Sequence, residues 1–143
     1  MPEIETLRRN VSAADCDFLG HMNVGRYFEA CGDAIYALQN GLGLTRSDLT
    51  TGRRLSFAVV NTEGDFLSEL VLGDIIYMTT ATVNIGTKSA TFRHRLYRGE
   101  DHKLCFRARF TCVMLDLVAR RAVPVPDDVR ARLADYFDEG EGT

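Results

Sequence analysis

The chain has 143 residues, of which 45% are hydrophobic and 26% are charged, and its formal net charge is −3. These values are ordinary for a single globular domain, and the negative charge argues against nucleic-acid binding through bulk electrostatics. No apolar run approaches the roughly 20 residues that a membrane-spanning helix needs, and the first residues lack the basic and apolar regions of a signal peptide.

Cysteine spacing bears on metal binding and on the cellular compartment. The four cysteines form no CxxC pair, which argues against a zinc ribbon or a redox dithiol. We therefore predict reduced thiols in a cytoplasmic protein that works without a metal or a redox cofactor. The side chains concerned are Cys16, Cys31, Cys105 and Cys112.

The first predicted elements are a strand over about residues 5–13 and a long helix from Val24 to about Asn40. The helix is the most strongly periodic segment, because its apolar side chains recur at the spacing of one buried stripe. Asn23 is its predicted N-cap, and residues 45–52 form a turn-rich or helical link. The stripe consists of Val24, Tyr27, Phe28, Cys31, Ile35, Leu38 and Leu42.

Four segments rich in β-branched and aromatic residues follow, at 55–70, 74–85, 88–98 and 103–117. The last two alternate between apolar and polar side chains, as strands do when one face of a sheet is buried. Long strands joined by short turns favour an antiparallel meander whose apolar face is covered by the long helix. A C-terminal helix is predicted after Pro126, and residues 139–143 are predicted to be a flexible tail beyond a single domain, 1–138.

The most informative segment runs from Asp15 to Asn23 and leads directly into the long helix. It carries two carboxylates, an imidazole and a glycine just before the helix N-terminus, where unpaired backbone N–H groups and the positive end of the helix dipole lie. Such amides polarise a carbonyl or stabilise an oxyanion. A carboxylate beside an oxyanion site indicates acyl-transfer chemistry.

The pattern Asp17-x-x-Gly20-His21-x-Asn23-x-x-x-Tyr27-Phe28-Glu29 resembles the signature of the hotdog-fold acyl-CoA thioesterases, in particular their 4-hydroxybenzoyl-CoA thioesterase branch. Weaker similarities extend over nearly the whole chain, at Leu72-Gly73-Asp74, Lys88-Ser89, Asp116 and Pro124-Val125-Pro126-Asp127. The resemblance implies an α+β fold in which a five- to six-stranded antiparallel sheet wraps a long central helix. It also implies a homodimer, or a dimer of dimers, with active sites at the subunit interface.

The function that the resemblance implies is hydrolysis of an acyl-CoA thioester to a free acid and CoA. Asp17 is the expected catalytic carboxylate, as nucleophile or as general base for water, although aspartates also commonly cap turns. The backbone N–H of Val24 is the expected oxyanion donor. His21 either acts on the carboxylate, the water or the substrate, or is satisfied by local hydrogen bonds, and Asn23 caps the helix, polarises the site, or does both.

Further residues are candidates for substrate binding. Gly20 either lets the backbone approach a ligand closely or simply adopts a positive φ in a turn. Tyr27 lines the pocket or the core, and the family match places Lys88 and Ser89 at the mouth of the ligand site. Glu63 is a secondary candidate that would face a pocket shared between subunits, because a charge amid an apolar strand is costly unless it is paired.

Several other polar residues are interpreted as structural. Asp15 occupies a position that varies in the family signature, and Glu29 lies off the apolar stripe, which indicates a solvated or interfacial side chain. Four arginines on two neighbouring strands are interpreted as a solvated or subunit-packing face balanced by acids, and a surface for the coenzyme A phosphates is the alternative. These are Arg93, Arg95, Arg107 and Arg109.

Two other functions fit parts of the pattern. A hotdog dehydratase or isomerase acting on enoyl or hydroxyacyl thioesters needs a histidine paired with an acid on the helix, and only His21 and Glu29 are available for those roles. A non-catalytic acyl-CoA-binding module would bind the thioester without hydrolysing it. The identity of the acyl group stays open, since four bulky residues line either its pocket or the core: Phe57, Phe66, Tyr77 and Met78.

Overall fold

The structure, a computed structural model, describes residues 3–138, so the predicted tail at 139–143 lies outside the described residues. A short 3₁₀ helix, Ala13–Asp15, precedes the first long helix. The other elements in chain order are β1 (Ile4–Asn10), α1 (Val24–Gly41), α2 (Arg46–Thr50), β2 (Leu55–Phe66), β3 (Ile75–Ile85), β4 (Ser89–Arg98), β5 (Lys103–Asp116), β6 (Arg121–Ala122) and α3 (Asp127–Asp135).

The long helix α1 confirms the most periodic segment of the sequence. It begins after Asn23, whose side-chain oxygen accepts a hydrogen bond from the Gly25 backbone N–H at 3.0 Å. Val24 departs from the predicted stripe, because its side chain is 56% exposed in the first turn of the helix. The side chains that α1 buries are Tyr27, Ala30, Cys31, Ala34, Ile35, Leu38 and Gln39.

The sheet is antiparallel, and its strand order is β1-β3-β4-β5-β2, with β6 paired to β5. The predicted meander is therefore right for β3, β4 and β5 and wrong for β2, which pairs with β5 instead of β3. The predicted strand over residues 55–70 ends at Phe66, because the backbone N–H groups of Leu67 and Ser68 both turn to the Cys105 carbonyl. Because β2 pairs with β5 alone, it lies at an edge of the sheet.

The core lies between α1 and the inner face of the sheet, where Phe57 and Met78 are buried as core residues. An aromatic cluster, with ring centroids 5.0 to 6.2 Å apart, occupies the end nearest the start of α1. A Cβ atom at Gly64 would approach Phe28 and Phe106 to 3.0 Å, so a glycine allows β2 to lie this close to the rings. The cluster consists of Tyr27, Phe28, Phe66, Phe106 and Phe110.

The outer face of the sheet carries the four arginines, and one of them contradicts the prediction of a solvated surface. Arg93 is only 2% exposed, because the two ends of the described chain fold over it: Glu3 lies 3.1 Å and Asp138 2.9 Å from its guanidinium. Arg95 shares Glu3, and Arg107 pairs with Asp65 at 3.1 Å. The prediction that acids balance these arginines is confirmed for these three.

All four cysteines are unpaired, as predicted. Burial raises the pKa of the Cys112 thiol to about 12 and that of Cys31 further still, so these two stay protonated and unreactive at neutral pH. Over residues 3–138, no three His, Cys, Asp or Glu side chains converge as metal ligands would. None of the described helices is both long and apolar enough to cross a membrane.

Candidate active site

The loop before α1 fixes the carboxylate of Asp17. The Leu19 backbone N–H donates to Asp17 Oδ1 at 2.9 Å, and the Gly20 N–H donates to the main-chain carbonyl of Asp17 at 3.0 Å. Gly20 has φ of +88°, a left-handed conformation that favours glycine over every other residue. The resulting tight turn holds the Asp17 side chain, which is partly exposed, beside the start of the helix.

Asn23 joins this carboxylate to the helix N-terminus. Its Oδ1 atom caps the helix by accepting from Gly25, and its Nδ2 atom donates to Asp17 Oδ2 at 3.0 Å. The cap requires the oxygen to face the helix, so the amino group must face Asp17. Both readings of Asn23 from the sequence are therefore compatible with its position: one side chain caps the helix and orients the carboxylate.

One amide of the first helical turn is left for a ligand. Gly25 N–H bonds to the Asn23 side chain, and Arg26 N–H bonds to the Asn23 carbonyl at 2.9 Å. Within residues 3–138, nothing accepts a hydrogen bond from the Val24 N–H. An unpaired amide at a helix N-terminus is a suitable donor to a carbonyl oxygen that gains negative charge.

Hydrogen bonding holds Asp17 in its ionised form. The Asn23 side chain first, and the Leu19 amide second, lower the pKa of Asp17 below its usual value of 3.8. The nearby His21 acts in the same direction through its charge. Asp17 is therefore a carboxylate throughout the neutral range, which is the form that nucleophilic attack and general-base catalysis both require.

A cleft of about 260 Å³ opens at the N-terminus of α1. Asp17 does not line it, but its backbone N–H donates to the carbonyl of His21, a lining residue, at 3.3 Å. The structure thus brings the carboxylate, the free amide and the cleft to one end of the helix. The cleft is lined from the loop and helix by His21, Met22, Val24 and Tyr27, and from the chain after β2 by Phe66, Leu67, Ser68 and Glu69.

His21 and Tyr27 have defined hydrogen-bonding states at this cleft. His21 Nδ1 lies 3.2 Å from the Met22 carbonyl, which can only accept, so Nδ1 carries a proton and Nε2 is left for other partners. Burial raises the pKa of Tyr27 to about 12, and its hydroxyl takes a hydrogen bond from the Leu70 backbone. Tyr27 therefore lines the cleft as an uncharged side chain and is unsuited to act as a base.

Three of the predicted binding residues lie elsewhere in the subunit. Glu63 is exposed on the outer face of β2 opposite Arg109, where it lines a separate cleft of about 350 Å³. Its place in a pocket shared between subunits stays a prediction. Lys88 and Ser89 lie at the start of β4, where Ser89 pairs with Val113. Phe106, which contacts Tyr27, precedes Val113 by seven residues on β5, and this separation corresponds to about 23 Å.

The structure gives structural roles to two other acids. Asp15 is buried, which opposes its ionisation, but hydrogen bonds from Arg9 and Ser12 outweigh that effect and lower its pKa. Glu29 is exposed and pairs with Arg26 at 3.2 Å. Because its partner is an arginine, the histidine–acid pair that a dehydratase needs gains no support.

Sequence reasoning named Phe66 as a residue of the acyl pocket or the core, but it missed the rest of this wall of the cleft, the segment 67–69. Predicting a strand to residue 70 concealed the loop, because Leu67 and Leu70 continue an apolar run. The available signal was the interruption of that run by Ser68 and Glu69, two polar residues directly before the turn at Gly73-Asp74.

Known proteins resemble this chain in sequence. A family model described as the thioesterase-like superfamily matches residues 11–133. Among curated proteins, the L-carnitine dehydrogenase/betainyl-CoA thioesterase of Rhizobium meliloti (strain 1021) is 29% identical over 123 residues, which make up 86% of this chain and 24% of that protein. The chain thus spans about a quarter of the length of this curated relative.

Solved structures share the fold. A Staphylococcus aureus protein in complex with CoA superposes with a TM-score of 0.85 at 20% identity, over 95% of this chain and 85% of that one. A 1,4-dihydroxy-2-naphthoyl-CoA thioesterase from Synechocystis gives a TM-score of 0.80 at 18% identity, over 93% and 96% of the two chains. These similarities confirm the hotdog fold that the sequence predicts, in which a curled antiparallel sheet encloses one long helix.

Proposed function

Because this chain belongs to the thioesterase-like superfamily, we propose that it hydrolyses an acyl-CoA thioester to a free acid and CoA, with Asp17 as its catalytic carboxylate. The observation that carries the proposal is the link from Asp17 through Asn23 to the start of α1, beside a cleft and an unpaired amide. These groups provide the two elements of acyl transfer, a carboxylate and an oxyanion donor.

In the proposed reaction, the thioester carbonyl lies at the N-terminus of α1 with its oxygen on the Val24 N–H. Asp17 either attacks the carbonyl carbon or removes a proton from a water molecule that attacks it. In the first route an acyl–aspartyl anhydride forms, the CoA thiolate leaves, and water then cleaves the anhydride; in the second the thiolate leaves directly. The helix amide stabilises charge that develops only in the transition state, so it raises the rate and not merely the affinity.

The exposed edge strand supports a homodimer as the active form. Within residues 3–138, no strand pairs with the outer side of β2, and its exposed residues include Val60 and Phe66. A long edge strand with exposed apolar side chains favours pairing with another strand. We propose that a second copy of this chain pairs along β2 in antiparallel orientation.

Such a dimer explains the distant position of Lys88 and Ser89. Ser89 pairs with Val113, which lies about 23 Å along β5 from Phe106, the residue that contacts Tyr27 near the start of α1. A two-fold axis across β2 reverses the second copy, so that Lys88 and Ser89 of one copy lie near the cleft of the other. In this arrangement they bind the phosphate or pantetheine part of CoA, and each active site needs both subunits.

The proposal is tested by presenting purified protein with a panel of acyl-CoA thioesters and trapping the released thiol with a dye. The panel includes betainyl-CoA, since the curated relative is named as a betainyl-CoA thioesterase, together with aromatic, straight-chain and dicarboxylic acyl groups. Thiol release at a rate that is saturable in one or more substrates is expected. Saturable binding without thiol release would instead support a non-catalytic binding module, and hydration of an enoyl-CoA without thiol release would support a dehydratase.

We place the protein in the cytoplasm. Support comes from the four unpaired cysteines, three of which are buried, because proteins of oxidising compartments more often pair theirs. The exposure of free thiols to oxidants is thereby limited to Cys16, which is partly exposed.

The pH dependence tests the role of Asn23. Activity requires ionised Asp17, so it is present above the pKa of Asp17 and lost as the pH falls through it. Replacing Asn23 with serine keeps an N-cap oxygen for the helix but removes the amide that lowers this pKa. We expect the acid limb of kcat/KM to move to higher pH in Asn23→Ser; an unmoved limb would show that Asn23 does not hold the carboxylate.

A further inference from the structure

The tip of the loop before α1, residues 17–20, presents two apolar side chains to solvent. Phe18 is 100% exposed and Leu19 is 67% exposed, directly after Asp17. The backbone of the tip is nevertheless held in one conformation, since the Leu19 N–H donates to Asp17 Oδ1 and the Asp17 N–H donates to the His21 carbonyl. The Phe18 ring therefore buries nothing within its own subunit, and adjoining exposed apolar side chains of this size mark an interaction surface.

A groove of about 570 Å³ lies at the other end of α1. Three leucines and a tyrosine line it, and Arg46 is the one charged residue among its described lining residues. The tip carries the opposite charge, that of Asp17, so the two surfaces complement each other in polarity and in charge. The lining residues of the groove include Tyr36, Asn40, Leu49, Ser56 and Leu117.

The cleft and the groove lie at opposite ends of both α1 and β2. The cleft is lined by Val24, in the first turn of α1, and by Phe66, at the end of β2. The groove is lined by Asn40, in the last turn of α1, and by Ser56, near the start of β2. A two-fold axis through the middle of β2 brings the cleft end of one copy, and with it the tip, to the groove end of the other.

Gly32 gives independent support for a second copy at this side of the subunit. It lies in the interior of α1, four residues before Tyr36 and hence on the same face of the helix. A glycine destabilises a helix interior, and within the described residues nothing requires it, because a Cβ atom at Gly32 would meet no atom within 4 Å. A second helix that packs at Gly32 accounts for it, since the absent side chain lets the two helices approach closely.

We propose that the tip of each copy inserts Phe18 and Leu19 into the groove of the second copy, and that this contact fixes the position of Asp17. The inference rests on the proposed thioester hydrolysis and on the proposed pairing along β2, and it adds the surface through which the second copy acts on the catalytic carboxylate. Phe18 is a positioning residue, because it acts through the turn that holds Asp17 and does not contact the substrate. A turn fixed at its tip keeps the carboxylate within reach of the thioester.

Kinetics test the positioning role. Phe18→Ser removes no contact within the subunit, because the side chain is 100% exposed there, so any effect comes from outside the subunit. We expect kcat for the best acyl-CoA to fall about tenfold with little change in KM, at protein concentrations where sedimentation velocity shows a dimer. Phe18→Leu is expected to restore kcat. Val118→Ser, at an exposed apolar site in the β5–β6 turn, is the matched control and is expected to keep wild-type kinetics.

Chemical cross-linking tests the contact itself without a measurement of activity. Phe18→Cys and Leu49→Cys are combined in a Cys16→Ser background, because Cys16 is the one native thiol that is not buried. A short bismaleimide is expected to join the two copies covalently, since each tip cysteine meets the groove cysteine of the other copy. Each new cysteine alone, in the same background, is the control and is expected to run as a monomer on a denaturing gel.

The outcomes separate this inference from the proposed function. Wild-type kcat in Phe18→Ser, or no more cross-linked dimer in the double variant than in the two single variants, would overturn the docking of the tip. A raised KM with unchanged kcat in Phe18→Ser would assign the tip to substrate binding and would equally overturn it. Absence of thiol release from every acyl-CoA would overturn the proposed function, and cross-linking would still decide whether the tip docks.

Discussion

Replacing Asp17 with asparagine is expected to lower kcat for the best acyl-CoA substrate by roughly a thousandfold or more. Asparagine has nearly the same shape, and its side-chain oxygen can still accept from the Leu19 N–H, which lies 2.9 Å from Oδ1 in the wild type. It can neither attack a thioester carbonyl efficiently nor remove a proton from water. Steady-state thiol release measures the effect, and single-turnover kinetics show whether the chemical step is the one affected.

Asp33→Asn is the matched control for this variant. Asp33 is an exposed aspartate on α1, so the substitution makes the same change of charge away from the cleft. We expect it to keep wild-type turnover, and both variants are expected to unfold at temperatures close to that of the wild type because neither position is buried. An Asp17→Asn enzyme with turnover like that of Asp33→Asn would reject Asp17 as the catalytic carboxylate.

The fold was predictable from the sequence where the deciding interactions are local. The stripe from Tyr27 to Leu38 sets which face of α1 is buried, and alternation along 103–117 sets which face of β5 is buried. Neither pattern indicates the order of the strands in the sheet. β2 and β3 are close in sequence but pair with different strands, because the segment 67–74 crosses from one side of the sheet to the other.

Part of the candidate site was likewise predictable from the sequence, and part was not. Asp17, Asn23 and Val24 lie within eight residues of one another along the chain, and their mutual geometry follows from a turn and a helix cap, which are short-range features. Glu69 reaches the cleft through contacts with residues distant in sequence, and Arg93 is buried by Glu3 and Asp138, at the two ends of the described residues. Such contacts leave no periodicity in the sequence, so only the folded structure reveals them.

The proposed dimer gives the second large prediction. Two lysines in the middle of β2, in the double variant Val60→Lys with Asn61→Lys, are expected to convert the dimer to a monomer. Both wild-type side chains are exposed on the edge strand, so the change leaves the subunit core intact. In a two-fold pairing, four added positive charges lie close together across the interface, and edge lysines oppose strand pairing. Sedimentation velocity measures the conversion.

Activity is expected to fall by roughly a hundredfold when the dimer is lost. In the proposed dimer, Lys88 and Ser89 are too far from the cleft of their own subunit and would reach a substrate only from the second copy. Val118→Lys with Ala119→Lys adds the same charge to adjacent exposed positions in the β5–β6 turn and is expected to keep both the dimer and the activity. A monomeric Val60→Lys, Asn61→Lys variant with wild-type kcat/KM would show that one subunit contains the whole site. A variant that stays dimeric would place the interface away from β2.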